Sequence, residues 1–121
     1  MTRHFGVLIP STNTTVEIEC RLLPATYQAH EMVILAQTSA SLHADDYDDV
    51  VTKRMSAGAG VPAITSAQAV GRAVRALGAR RIAIVSPYSD AVNERAARYF
   101  KTRFGLDTVA LEGFRATDAY A

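Results

Sequence analysis

Short apolar runs alternate along this chain with stretches in which apolar residues recur at helical spacing. The apolar runs predict strands at residues 5–9, 32–36, 61–64, 82–85 and 106–111. A segment that is apolar at successive positions is typical of a strand buried on both faces, as in a parallel sheet. The alternation therefore predicts an α/β fold of three layers, with an open, mostly parallel sheet and helices on both faces.

Capping residues predict where the helices begin. Asp45 or Asp46 begins one helix, Thr65 or Ser66 begins the next, and Ser89 begins the last. An earlier helix is predicted after the first strand by apolar residues at helical spacing. In the three later helices, the apolar residues expected to face inward are Tyr47, Val50, Val51, Met55, Ala67, Val70, Ala73, Val74, Leu77, Val92, Ala96, Tyr99 and Phe100.

The length of 121 residues predicts a single domain. We expect this α/β domain to span residues 1–112, with an unpatterned tail at 113–121. Residues 38–42 are predicted to be a loop. Pro62 favours an edge position for the third strand, because proline cannot donate a hydrogen bond to a sheet ladder.

A polar turn follows the first strand. It contains Ser11, Asn13 and Thr14 and leads into the first predicted helix. In open α/β proteins ligands bind outside the carboxyl ends of strands, and a helix N-terminus there favours an anion. The turn has no glycine, so it does not match a phosphate-binding loop. Its hydroxyls and amide suit a small carboxylate, and the alternative is that Ser11 or Asn13 only caps the helix.

A second polar turn, residues 86–89, follows the fourth predicted strand and includes Tyr88. Because parallel strands end at a common edge, the two turns are expected to face one pocket if their strands are near neighbours. From the residues alone, Tyr88 is equally well explained as a packed rim residue.

Charge and composition exclude several classes of function. A net charge of +1 gives no electrostatic basis for binding nucleic acid or an anionic membrane. No apolar run approaches the roughly 20 residues that span a bilayer, and no signal peptide is visible, so we expect a cytoplasmic protein. The single cysteine, Cys20, rules out an internal disulfide and a cysteine-rich metal site.

Three other groups of residues are better explained by a structural role than by a metal-binding or nucleic-acid-binding role. The histidines at 4, 30 and 43 lack metal-ligand spacing. The acidic residues at 45, 46, 48 and 49 lack the pattern of a calcium loop and suit a solvated helix start. The arginines at 72, 75, 80 and 81 suit an outer helix face. Cys20 lies on an apolar stripe and is predicted to be a buried core residue.

Three segments resemble the maleate cis-trans isomerase and arylmalonate decarboxylase branch of the aspartate/glutamate racemase superfamily. They are Pro10-Ser11-Thr12-Asn13-Thr14, Gly60-Val61-Pro62-Ala63-Ile64-Thr65-Ser66 and Ser86-Pro87-Tyr88-Ser89 with the helix start that follows it. The resemblance extends over most of the chain outside residues 25–55.

The resemblance implies two similar α/β domains with the substrate between them. A cysteine from each domain acts on the carbon beside a carboxylate, and no metal or organic cofactor is used. By position, Asn13, Ser11 and Thr14 would hold a carboxylate of a small dicarboxylate. Tyr88 would donate its hydroxyl to the substrate, and Asn93 would lie beside it. The substrate stays open among maleate, arylmalonates, hydantoins and amino-acid dicarboxylates.

The chain departs from this family in the cysteines. The turn that carries the first cysteine is absent, and residues 45–60 pass directly from one helical pattern to the Gly-Val-Pro segment. We therefore predict a truncated, internally deleted relative with no catalytic residue of its own, inactive alone. The alternatives are a non-catalytic dicarboxylate-binding or interaction module and a non-functional fragment. A missing central strand would leave backbone groups unpaired, which favours re-paired strands or a homo-oligomer.

Overall fold

The structure, a computed structural model, describes residues 5–8 and 31–114. The strands in these ranges are β1 (Phe5–Leu8), β2 (Met32–Leu35), β3 (Ala63–Thr65), β4 (Arg81–Ser86) and β5 (Asp107–Gly113). The helices are α1 (Thr38–Ser41), α2 (Tyr47–Ala59), α3 (Ser66–Ala76) and α4 (Asp90–Phe104). The predicted helix after the first strand and most of the predicted tail lie outside the described residues.

All strand pairs in this part of the chain are parallel, which confirms the α/β prediction. The strands form two sheets instead of the single sheet that was expected. One sheet has the order β1–β2–β3, and the other pairs β4 with β5. β3 is an edge strand of three residues directly after Pro62, as the proline predicted.

The chain groups into two compact units, residues 1–69 and residues 70–121, and the boundary falls within α3. Each unit contains one of the two sheets. This grouping does not decide how many domains the chain folds into, so the single domain over residues 1–112 stays a prediction.

Helix α1 occupies residues that were predicted to be a loop, and that prediction was wrong. Its C-cap, Leu42, is only 4% exposed and donates its backbone N–H to the Ser39 carbonyl. The local sequence Thr38-Ser39-Ala40-Ser41 has no helical apolar pattern. Ser41 and Leu42, both buried, hold the end of this turn in place.

The buried face of α2 agrees only in part with the predicted one, since Tyr47, Val51 and Met55 are half-buried. Val50, expected to face inward, is 49% exposed, whereas Asp48 is 1% exposed. Polar side chains on the buried face satisfy nearby backbone groups instead. Thr52 donates to the Asp48 carbonyl at 2.6 Å, and Ser56 donates to the Val61 carbonyl at 2.7 Å. Apolar spacing alone does not identify this face, because these hydrogen bonds make the half-buried Thr52 and Ser56 acceptable in it.

Helix α3 begins with a reciprocal capping box. The Gln68 N–H donates to Thr65 Oγ1 and the Thr65 N–H donates to Gln68 Oε1, both at 3.1 Å. This confirms Thr65 as the cap. Of the inward stripe predicted for α3, Ala67 is buried and Val74 half-buried, whereas the prediction is wrong for Val70, which is 49% exposed, for the exposed Ala73 and for Leu77, which is 85% exposed. The helix instead turns Gly71 toward the ring of Phe104.

The second unit has an aromatic core beneath α4. Ala96, Tyr99 and Phe100 are buried, as predicted. The Tyr99 and Phe100 rings meet edge to face, with centroids 5.2 Å apart. Leu106, fully buried, follows Gly105, whose φ of 65° ends the helix in the left-handed region. These residues hold α4 against the β4–β5 sheet.

No helix within residues 5–8 and 31–114 combines the length and apolar character needed to cross a membrane.

Candidate functional site

The carboxyl edge of the three-stranded sheet is the first candidate site. The register aligns Leu8 of β1 with Leu35 of β2, and Leu35 with Thr65 of β3. Because all three strands run parallel, the chain leaves each of them at the same edge. This is the edge at which α/β proteins bind their ligands.

Two hydroxyls meet at this edge. The Thr38 and Ser66 oxygens are 3.2 Å apart, although 28 positions separate the residues in sequence. Both side chains are half-buried, and each residue begins a helix. Because Thr65 caps α3, the Ser66 hydroxyl is not needed as a cap and contacts Thr38 instead. Together they form a small polar surface that suits a carboxylate oxygen.

The sequence analysis did not single out Thr38 or Ser66 as binding residues. The signal was present, since a hydroxyl residue follows each of these strands within a few positions, as Ser11 follows the first. What was missing was the order of the strands. Only the observed pairing shows that β1, β2 and β3 are neighbours.

The predicted carboxylate ligands Ser11, Asn13 and Thr14 lie outside the described residues. Cys20, with its predicted core position, does too. Their roles stay predictions.

The turn between β4 and α4 is the second candidate site, and it brings Tyr88 and Asn93 together. Ser86 Oγ donates to Asn93 Oδ1 at 2.5 Å, and Asn93 Nδ2 donates to the Tyr88 carbonyl at 3.4 Å. The Tyr88 N–H in turn donates to Ser86 Oγ at 3.0 Å. These three hydrogen bonds connect the end of the strand, the turn and the start of the helix.

Within that network Asn93 fixes the turn. Its side chain is 1% exposed and uses both its oxygen and its nitrogen in the bonds to Ser86 and Tyr88. Tyr88 is half-buried. Asn93 therefore lies beside Tyr88, and its geometry suits positioning of the turn. A direct contact between either residue and a substrate stays a prediction.

Gly113 packs against the same turn and was not singled out from the sequence. A Cβ at this position would lie 2.5 Å from Asn93 Nδ2 and 2.7 Å from the Tyr88 carbonyl oxygen. Such distances are too short for any side chain, so the close approach of β5 to the turn requires glycine.

The other candidate residues do not assemble into a site. Among the described residues no three His, Cys, Asp or Glu side chains come together in a metal-binding group. His43 is exposed. Asp45, Asp46 and Asp49 are exposed at the start of α2, as a solvated helix start requires, and only Asp48 is buried.

A sequence model of the family described as arylmalonate decarboxylase matches residues 14–120. The chain belongs to this family. The match extends over nearly the whole chain and confirms the family resemblance; it includes the second and third motifs, and only Thr14 of the first. A comparison with curated proteins found no match.

Solved structures of two kinds of enzyme are similar to this member of the arylmalonate decarboxylase family. One is the maleate isomerase Iso from Pseudomonas putida S16, solved as a cysteine-to-alanine variant with maleate, at 26% identity and a TM-score of 0.69. Another is unliganded arylmalonate decarboxylase, at 24% identity and a TM-score of 0.73.

The matches extend over much of this chain but only part of the relatives. The isomerase match covers 78% of this chain and 40% of the isomerase chain. The decarboxylase match covers 90% of this chain and 60% of that one. These structural matches show a shared α/β fold, and the activity of the longer relatives is a separate question.

Proposed function

We propose that the chain is a maleate isomerase-like protein that binds a small dicarboxylate at the carboxyl edge of the β1–β2–β3 sheet. In this proposal Ser11, Asn13 and Thr14 hold one carboxylate. The hydroxyls of Thr38 and Ser66 lie at the same edge and contact it or a neighbouring group. We expect binding to require neither a metal nor an organic cofactor, and the protein to act in the cytoplasm.

One observation supports this proposal above the others. The Leu8–Leu35–Thr65 alignment places the end of β1 at the same sheet edge as the Thr38–Ser66 hydroxyl pair, and Ser11 follows Leu8 by three positions in sequence. A cluster of neutral donors outside the ends of parallel strands suits a carboxylate. The structural likeness to a maleate isomerase that was solved with maleate supports the same class of ligand.

The second turn contributes Tyr88 in this proposal. Its hydroxyl would donate to the substrate, as the resemblance implies, while Asn93 holds the turn through its bonds to Ser86 and Tyr88. We therefore expect Tyr88 to affect ligand affinity and Asn93 to act through Tyr88.

We further propose that the chain alone does not isomerise maleate. The family reaction starts with addition of a cysteine thiolate to a carbon of the double bond, and residues that only position the substrate cannot replace that nucleophile. Cys20 is the single cysteine, and by the resemblance it replaces neither family cysteine. A non-catalytic dicarboxylate-binding module is therefore the alternative that shares the same site.

Proton NMR on the purified chain with maleate tests binding and turnover together. We expect shifted protein resonances and no fumarate. The Asn13→Ala variant should lose the shifts, and Thr38→Ala and Ser66→Ala should weaken them. Thr102→Ala, an exposed hydroxyl on α4, is the matched control and should leave them unchanged. Absence of shifts with the unaltered chain would contradict the proposed binding.

A comparison of the unaltered chain with Cys20→Ser shows whether Cys20 is responsible for any turnover. Fumarate formed by the unaltered chain and not by Cys20→Ser would contradict the proposed inactivity and make Cys20 the nucleophile. Fumarate formed equally by both would point to a contaminating enzyme or to chemistry without a thiol.

A further inference from the structure

The two-stranded sheet of the second unit has one face partly covered by α4 and one face that the described residues leave open. The register pairs Ala83 with Ala110 and Val85 with Glu112, so these side chains share a face. All four are exposed, and Val85 keeps 64% of its surface accessible. Phe114 follows at the end of β5, where its N–H donates to the Ser86 carbonyl, and is 71% exposed.

The opposite face is covered by α4 along β4, while Leu111 of β5 stays 38% exposed there. There Ser86 is 8% exposed and bonded to Asn93 of that helix, and Ile82 and Ile84 are half-buried. The difference between the two faces is physically unusual, because parallel sheets are almost always covered on both. An isolated pair of strands is also marginal without packing on its apolar faces. The open face therefore calls for a partner surface.

We propose that a second copy of this chain covers the open face, with the two β4–β5 sheets packed face to face about a two-fold axis. The apolar centre consists of Ala83, Val85 and Ala110. Arg81 stands at the beginning of β4 on this face, beside Asp107, whose charge is paired with Lys101 of α4, and Glu112 stands near the end of β5. This places opposite charges at opposite ends of the apolar patch.

That charge arrangement is what favours a second copy over an unlike partner. Glu112 pairs with Val85, four residues beyond Arg81. At about 3.3 Å per residue the two charges are separated by about 13 Å along the strands. A two-fold axis that reverses the strand direction puts Arg81 near Glu112 of the partner subunit, and the reciprocal pair forms as well. Sheets stacked about 10 Å apart leave room for both long side chains to meet.

The surface is small, so the dimer is expected to be weak. The strands have six and seven residues, and their open face falls below the roughly 800 Å² per partner of a standard interface. We expect a dissociation constant of order micromolar or weaker. Sedimentation equilibrium or light scattering of the full chain, from about 1 to about 300 μM, measures it in a range set by that estimate.

Charge reversal gives a test that a structural defect cannot imitate. Arg81→Glu and Glu112→Arg should each weaken dimerisation by at least about tenfold, because each creates two like-charge contacts. An equimolar mixture of the two variants should recover the dimer, since each chain then offers the charge that the other lacks. A contact within one chain would be repaired only by the double variant and not by mixing.

Val85→Asp tests the apolar centre and should abolish the dimer. Val50→Asp is the matched control, because Val50 is an exposed valine on α2 at 49% exposure. Far-UV circular dichroism of each variant checks that it is folded. A chain that stays monomeric over the whole range would overturn the proposal. So would a dimer that tolerates Val85→Asp, or variants that do not recover on mixing.

Discussion

Single side chains decide how the two strand–helix turns are held. At the start of α3, Thr65 and Gln68 each satisfy a backbone N–H of the other. At the start of α4, Ser89 makes no side-chain capping bond, and the bond between Ser86 and Asn93 organises the turn instead. Residues of similar type therefore have different tasks at equivalent positions.

Thr65→Ala is expected to destabilise the protein by about 1 kcal/mol, the usual cost of losing an N-cap hydroxyl. The Gln68 N–H, buried with it, would be left without its acceptor. Urea unfolding followed by circular dichroism measures the change. Thr102→Ala, on the exposed side of α4, serves as the control and should stay within about 0.5 kcal/mol. Equal effects at the two sites would argue against the capping box.

Asn93→Ala and Tyr88→Phe separate positioning from binding. Asn93→Ala removes a buried amide with two partners and should cost about 1–3 kcal/mol of stability. Tyr88→Phe keeps the backbone bonds of the turn and should weaken maleate binding more than it lowers stability. Urea unfolding and the NMR titration report the two effects. If Tyr88→Phe binds maleate normally, the proposed role of its hydroxyl fails.

At the scale of the elements, packing between helices overrides the apolar stripe of α3. The stripe predicted Val70 and Leu77 inward, yet both are exposed. Gly71 faces Phe104 instead, and Arg75 donates from Nη1 to the Phe104 carbonyl at 3.0 Å. Because Gly71 has no side chain, the face of α3 that carries it can approach the end of α4 closely.

Gly71→Ala tests this packing. The new Cβ would lie 2.4 Å from two carbons of the Phe104 ring, so we expect a loss of about 1–3 kcal/mol from overpacking. Gly58→Ala in α2 is the matched control, because its Cβ would meet nothing within 4 Å. There alanine should stabilise by about 0.4–1 kcal/mol, since it lowers the entropy of the unfolded chain. Thermal and urea unfolding give the sign of each change. Loss of stability at both positions would mean that helix contacts are not the cause.

At the scale of the whole molecule, the question is whether residues 1–69 and 70–121 unfold together. A single domain over residues 1–112 predicts one cooperative transition. Amide hydrogen exchange can follow β2 and β4, one in each unit. We expect their protection to be lost at the same denaturant concentration. Loss of protection in two steps, with a change at the boundary in α3, would show two independently folding units.

The sequence alone determined the fold class, the parallel direction of the strands and most limits of the elements. It also determined the family, which the matched residues 14–120 confirm. These properties are local or carried by short motifs. Apolar runs mark strands, Thr65 marks a helix start, and Gly105 marks a helix end without reference to distant residues.

The tertiary structure alone decided which strands share a sheet, which face of α3 is buried and what Asn93 bonds to. It also brought Thr38 to Ser66, so that part of the candidate site was not accessible from sequence. The physical reason is the same in each case. Contacts between residues distant in sequence depend on how closely two backbone segments approach and on which polar groups form hydrogen bonds. The spacing of apolar residues within one segment predicts neither of these.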